Sequence, residues 1–100
     1  MANYVLLTRL VPSAVNEPAA FERLNHQVSE RLKQDCPEVH WIANLLVLGP
    51  YDYLDIFEAP DNEVAAKVAL IVRSYGHGTT EIWPAVAWER FREIALKIVA

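Results

Sequence analysis

One stretch constrains this chain more than any other: Leu45 to Ala85, LLVLGPYDYLDIFEAPDNEVAAKVALIVRSYGHGTTEIWPA. An apolar run reaches a tight turn at Gly49-Pro50-Tyr51-Asp52, and a second run, Tyr53 to Glu58, leaves it. Two β-prone runs joined by so short a loop of turn-forming residues fold back as antiparallel neighbours. Ala59-Pro60 ends the second of them, because proline cannot donate to a ladder. Asp61 has the short acceptor side chain that caps a helix, and Glu63 adds favourable negative charge to the first turn. An alanine-rich helix then continues to Tyr75, Gly76 supplies a stop, and Thr79 to Trp83 is a further strand closed by Pro84.

The remaining elements fit around this core. Tyr4 to Thr8 is a short β-branched and aromatic run, hence a strand, ended by Val11-Pro12-Ser13. Pro18 suits a first helical turn, and Phe21, Leu24, Val28 and Leu32 then make one apolar stripe as far as about Asp35. His40 to Leu48 reads as a strand with Trp41, Ala43, Leu45 and Val47 on one side, and His40, Ile42, Asn44, Leu46 and Leu48 on the other. A last stripe, Trp88, Phe91, Ala95 and Ile98, predicts a C-terminal helix. The order β-α-β-β-α-β plus a helix is an α+β, ferredoxin-like arrangement: a four-stranded antiparallel sheet with two helices on one face. One hundred residues make it a single domain spanning residues 1–100.

The strands are apolar at both parities, so the second sheet face needs a cover as well. Hydrophobic residues make up 53% of the chain, against about 45–50% in ordinary soluble domains. No apolar run approaches the roughly 18 residues of a membrane span, so a membrane partner is not expected. The simplest cover is a second copy packed sheet to sheet, which makes a homodimer or higher homo-oligomer, a dimeric α/β barrel. The net charge is −4, and the nine Lys and Arg are scattered among acids, which argues against nucleic acid. Cys36 is the only cysteine and no signal-peptide-like run opens the chain; together they suggest a reducing, cytoplasmic setting.

Gly49, Tyr51 and Asp52, then Glu58-Ala59-Pro60-Asp61, then Thr80-Glu81, resemble the GYD-domain family, named for its glycine, tyrosine and aspartate. The likeness begins in the first strand, Tyr4 to Thr8, and reaches about Phe91. It implies a small dimeric α/β barrel, in a superfamily that includes cofactor-free monooxygenases, isomerases and lyases as well as ligand-binding regulators. It implies no particular activity. The chain departs from the pattern after the second helix, where His77 and Gly78 stand in place of the family's asparagine.

Four places carry candidate chemistry. Asp52 can bond nearby backbone N–H groups while Tyr51 packs over the loop, or the two can hold a small substrate at a pocket mouth. Asp55 is a carboxylate among Leu54, Ile56 and Phe57. If Leu48 pairs with Tyr53, Asn44 lies opposite Phe57, and Asn44, Tyr53 and Asp55 share one face. There Asp55 is either a polar contact at an interface or solvated sheet end, or a general base in an apolar cavity. His77 between two glycines is an exposed loop residue or an acid–base group. Trp83 beside Pro84 buries area or lines a cavity wall. His26 falls opposite the apolar stripe of its helix and is assigned to the surface, while His40 shares the parity of Asn44. No metal-ligand spacing is present, so neither a metal nor a cofactor is expected. Three readings remain. The chain binds a small, mostly apolar molecule through Asn44, Asp52, Tyr53 and Trp83; or it is a cofactor-free enzyme using His77, Asp55 and Tyr51; or it serves assembly alone.

Overall fold

A computed structural model describes residues 1–11, 17–75 and 78–99. Its elements are β1 (Ala2–Leu10), α1 (Pro18–Asp35), β2 (His40–Leu46), β3 (Tyr53–Ala59), α2 (Asn62–Ser74), β4 (Gly78–Ala85) and α3 (Trp88–Val99). The four strands form one antiparallel sheet in the order β2-β3-β1-β4. This is the ferredoxin-like arrangement expected from the element order.

The ladder registers assign the two sheet faces. Tyr4 pairs with Phe57, Leu6 with Asp55 and Thr8 with Tyr53, and these side chains face the helices. The core lies on this side, where Tyr4, Leu6, Phe57 and Ala59 pack under Val28, Leu32, Val68 and Val72. Val5, Leu7, Leu54, Ile56 and Trp83 belong to the alternate parity and face away from the helices. Leu7 is buried yet stands apart from the main core cluster, as this opposite orientation requires.

Two local features depart from a regular reading of the sequence. The hairpin closes with Leu46 opposite Tyr53, two residues earlier than a Leu48–Tyr53 pairing would place it. Val47 N–H donates to the Asp52 carbonyl at 3.0 Å, so residues 47–52 form the loop. In addition, Trp41 pairs with Phe57 while Ala43 pairs with Ile56, which leaves Ile42 as the extra residue of a β-bulge. A bulge reverses side-chain parity beyond it. Trp41 and Asn44 therefore share the helix-facing side, and His40, paired with Glu58, does not share a face with Asn44 as strict alternation predicted. Pro84 does not end β4, which continues to Ala85; β4 is an edge strand, where a residue without an N–H is tolerated.

The helices differ sharply in burial. Asp61 caps α2 by accepting from Val64 N–H at 3.0 Å, and Ala65, Val68, Ile71 and Val72 bury its inner side. The expected stop at Gly76 lies outside the described residues. Asp61→Ala should lower stability by about 1 kcal/mol, read as a shifted urea midpoint with unchanged slope; an unshifted midpoint would mean that solvent satisfies the N-terminus equally well. Gly78 starts β4 against β1 so closely that a Cβ there would run into the Arg9 carbonyl oxygen, so only glycine lets these backbones pair. The α3 stripe forms as expected, but no residue of α3 is buried.

Candidate functional site

The most developed concavity lies between α1 and the β2–β3 half of the sheet. α1 approaches α2 more closely than it approaches any strand, and Phe21 reaches down to Tyr53, with ring centroids 5.9 Å apart. The space left between helix and sheet is a half-open cavity of about 720 Å³. Leu6, Val28, Leu32, Trp41 and Val72 supply apolar wall, while Asn44, Tyr53 and Asp55 bring polar groups from the sheet. Glu22, Asn25, His26, Ser29 and Lys33 line it from α1.

Asp55 is the electrostatic centre of this cavity. It is partly buried, opposite Leu6 on β1 and Asn44 on β2. Among the described residues no side chain or backbone donor is hydrogen-bonded to it, and burial alone pushes its carboxyl up from 3.8 to about 6. Tyr53, two residues earlier on the same face, has its phenol raised by burial first and then by the charges of Asp52 and Asp55, so it keeps its proton near neutral pH. The expected grouping of Asn44, Tyr53 and Asp55 on one face therefore holds in this geometry, with Asn44 directly across from Asp55 and not from Phe57.

The Tyr51 region lies on the other side of the sheet. The Tyr51 hydroxyl donates to Glu81 Oε2, its ring sits edge-on to Trp83 with centroids 6.5 Å apart, and the Arg9 guanidinium lies 5.3 Å over it. That hydrogen bond raises the phenol's pKa and lowers that of the carboxylate. Asp52 plays a structural part. Its Oδ2 accepts from Leu10 N–H at 2.7 Å, while its own N–H donates to the Thr8 carbonyl at 2.9 Å, pinning the hairpin loop to the end of β1. Trp83 is half exposed on the helix-free face and lines no cavity with Asp55. The structure thus does not bring Tyr51 and Asp55 together, because Tyr51 lies in the hairpin loop and turns to Glu81, Trp83 and Arg9, whereas Asp55 on β3 faces the helices. His77 lies outside the described residues. His26, assigned to the surface by its helical position, is exposed but belongs to the cavity rim. The bulge at Ile42, which brings Trp41 into the same wall as Asn44, carries no signature that single-strand periodicity could reveal.

Among the described residues no group of three His, Cys, Asp or Glu is arranged to hold a metal ion, and no helix is long and apolar enough to cross a membrane. The family model of the GYD domain matches residues 4–95. The chain belongs to the GYD-domain family. The match begins at Tyr4, as the sequence likeness did, and runs four residues past Phe91 to Ala95 in α3. Among solved structures, the Arabidopsis thaliana protein At3g17210 is similar, with a TM-score of 0.54 and 13% identity, over 87% of this chain and 95% of that one. At that identity the likeness concerns the fold alone. No curated protein sequence matches the GYD chain significantly.

Proposed function

We propose that this GYD-domain protein is a small homodimer that binds a small, mostly apolar molecule in the cavity between α1 and the sheet. The observation that carries the reading is the cavity itself. It has about 720 Å³ of space, an apolar wall of Leu6, Val28, Leu32 and Trp41, Asp55 and Asn44 on the sheet side, and a polar rim from α1. Ligand sites commonly occupy about 300–1,000 Å³ and combine apolar walls with polar groups that orient the ligand. Native mass spectrometry of freshly purified protein tests it. The expected spectrum shows a two-chain particle carrying a small-molecule adduct released on denaturation. Ligand-free protein that also fails to take up any member of a library of small apolar compounds would refute the binding role.

The dimer rests on surface that one chain leaves wet. A folded monomer of 11.3 kDa should expose roughly 5,700 Å², whereas this chain exposes 6912 Å². The excess, about 1,200 Å², exceeds the roughly 800 Å² that each partner buries in a standard interface. The radius of gyration is 15.5 Å, against about 13 Å for a compact chain of this length. Leu45 and Trp83 on the helix-free sheet face, and Trp88, Phe91 and Ile98 on α3, are all about half exposed or more. Trp83→Glu places a charge on that face, on the edge strand β4, and should convert a sedimenting dimer into a monomer at micromolar concentration. A wild-type chain that sediments as a monomer at that concentration would remove the dimer from the proposal.

A catalytic reading draws on Asp55, whose carboxyl is pushed up to about 6 by burial beside the apolar wall of Leu6, Val28, Leu32 and Trp41. That value suits a general base near neutral pH. With Tyr51 on the opposite face, the reading rests on Asp55, with the His26 imidazole at the cavity rim. Its reaction class is proton abstraction next to an activated carbonyl. Asp55-dependent hydrogen–deuterium exchange into such a compound, followed by NMR, would support it; equal exchange by Asp55→Asn would end it.

A further inference from the structure

Within the proposed binding cavity, the arrangement of polar groups selects among ligands. The sheet floor presents Asp55 directly across from Asn44, beside Leu6 and two residues from Tyr53. An ionised carboxylate only accepts hydrogen bonds, through two oxygens. No donor from the described residues occupies them: the ion pairs among those residues lie elsewhere, on Arg31–Asp35, Lys33–Glu30 and Arg90–Glu93. The cavity is half-open, so solvent has access to those oxygens. A ligand that displaces this solvent must return a donor, or the carboxylate is left buried and unpaired.

We infer that the cavity takes a small apolar molecule bearing one hydrogen-bond-donating head group, an amine or a hydroxyl, seated on Asp55 and Asn44 with its apolar body against Leu6, Val28, Leu32 and Trp41. This inference rests on the cavity being a binding site. A carboxylate-headed ligand is disfavoured at the floor, because its charge would face that of Asp55; at the rim Glu22 is accompanied by Lys33. The titratable groups facing this position are Tyr53 on β3 and, from α1, Glu22, His26 and Lys33. At pH 7.5 Asp55 is ionised and only accepts, while Tyr53 keeps its proton.

The test uses four probes of matched size on the intact protein: phenethylamine, phenethyl alcohol, ethylbenzene and phenylpropionate, titrated at pH 7.5 and followed by amide NMR shifts. The amine and the alcohol should bind about tenfold or more tightly than ethylbenzene, and phenylpropionate most weakly. Asp55→Asn should remove the preference of the amine over ethylbenzene, in part by tightening ethylbenzene binding, because no ionised carboxylate is then left without a donor. Asp55→Leu should remove the preference for the alcohol as well. The amine arm separates an ion pair from the neutral hydrogen bond that the alcohol arm reports. Phenylpropionate binding as tightly as phenethylamine, or an unchanged amine preference in both variants, would overturn the donor-head inference while leaving the cavity as a binding site. No shift at cavity residues with any of the four probes would overturn the binding reading and this inference together.

Discussion

Asp55→Asn is expected to stabilise the folded chain at pH 7.5 and to change its stability little at pH 4. An exposed aspartate loses its proton near 3.8, whereas Asp55 in the folded cavity loses it near 6. Between these values the folded chain holds a proton that the unfolded chain has released, so stability falls as pH rises through the window. Below it both states are protonated and the cost is absent; above about 6 it is complete. A tenfold change in acid strength corresponds to about 1.4 kcal/mol, and the half-open cavity screens part of that, leaving about 1–2 kcal/mol at neutral pH. An amide removes the ionisation without changing the shape. Thermal unfolding of wild type and variant between pH 4 and 8 measures the effect. For a domain of this size, about 4–8 °C accompanies each kcal/mol. The two curves should converge on the acid side, draw apart as pH rises to about 6 and stay apart above it. Parallel curves would show that Asp55 is solvated, and the cavity would lose its electrostatic centre. A residue kept at a cost to stability is the pattern expected of a site retained for binding or chemistry.

Phe57→Ala should bring the largest loss of stability, about 3–5 kcal/mol. Its ring is fully buried in the centre of β3. It stacks on Tyr4 with centroids 5.4 Å apart and an interplanar angle of 22°, and it meets Trp41 at 5.1 Å. The Tyr4 hydroxyl in turn donates to Asn62 Oδ1 at 2.6 Å, at the first turn of α2. Removing the ring unsupports the aromatic cluster that joins β1, β2 and β3, and it opens a void beside the cavity floor. Typical domains hold only about 5–15 kcal/mol in total, so the variant should unfold at markedly lower urea. Phe57→Leu, which refills much of the space, should recover most of the difference. A loss below about 1 kcal/mol for Phe57→Ala would show that the sheet does not depend on this cluster.

The parts of the fold legible in the chain are those set by local rules. Asp61 is a helix cap wherever an extended segment runs into a helix, and Asp61 does accept from Val64 N–H. The turn before Tyr53 makes β2 and β3 neighbours whichever residues they pair. The pairing itself was less legible, since an apolar strand such as Ala43 to Leu48 supports more than one register. The candidate site was readable in proportion. Asp55 stood out as a charge in an apolar strand, and Asn44 and Tyr53 followed from parity. Trp41 and His26 did not follow, because the first depends on the bulge at Ile42 and the second on how far α1 stands from the sheet. Grouping Tyr51 with Asp55 failed because turn and strand residues close in sequence can serve opposite sheet faces.

By itself the amino-acid sequence determined the order and type of the elements, the family, and the presence of a carboxylate where apolar neighbours make it costly. Those depend on periodicity, turn chemistry and composition, which act over a few residues. Tertiary structure alone decided that Asp55 faces α1 rather than the helix-free face, that a cavity separates it from that helix, and that α3 buries none of its residues within its own chain. Each of these is a relation between elements distant in sequence. It is set by how layers pack and by which surfaces one chain can reach, and no local pattern encodes it.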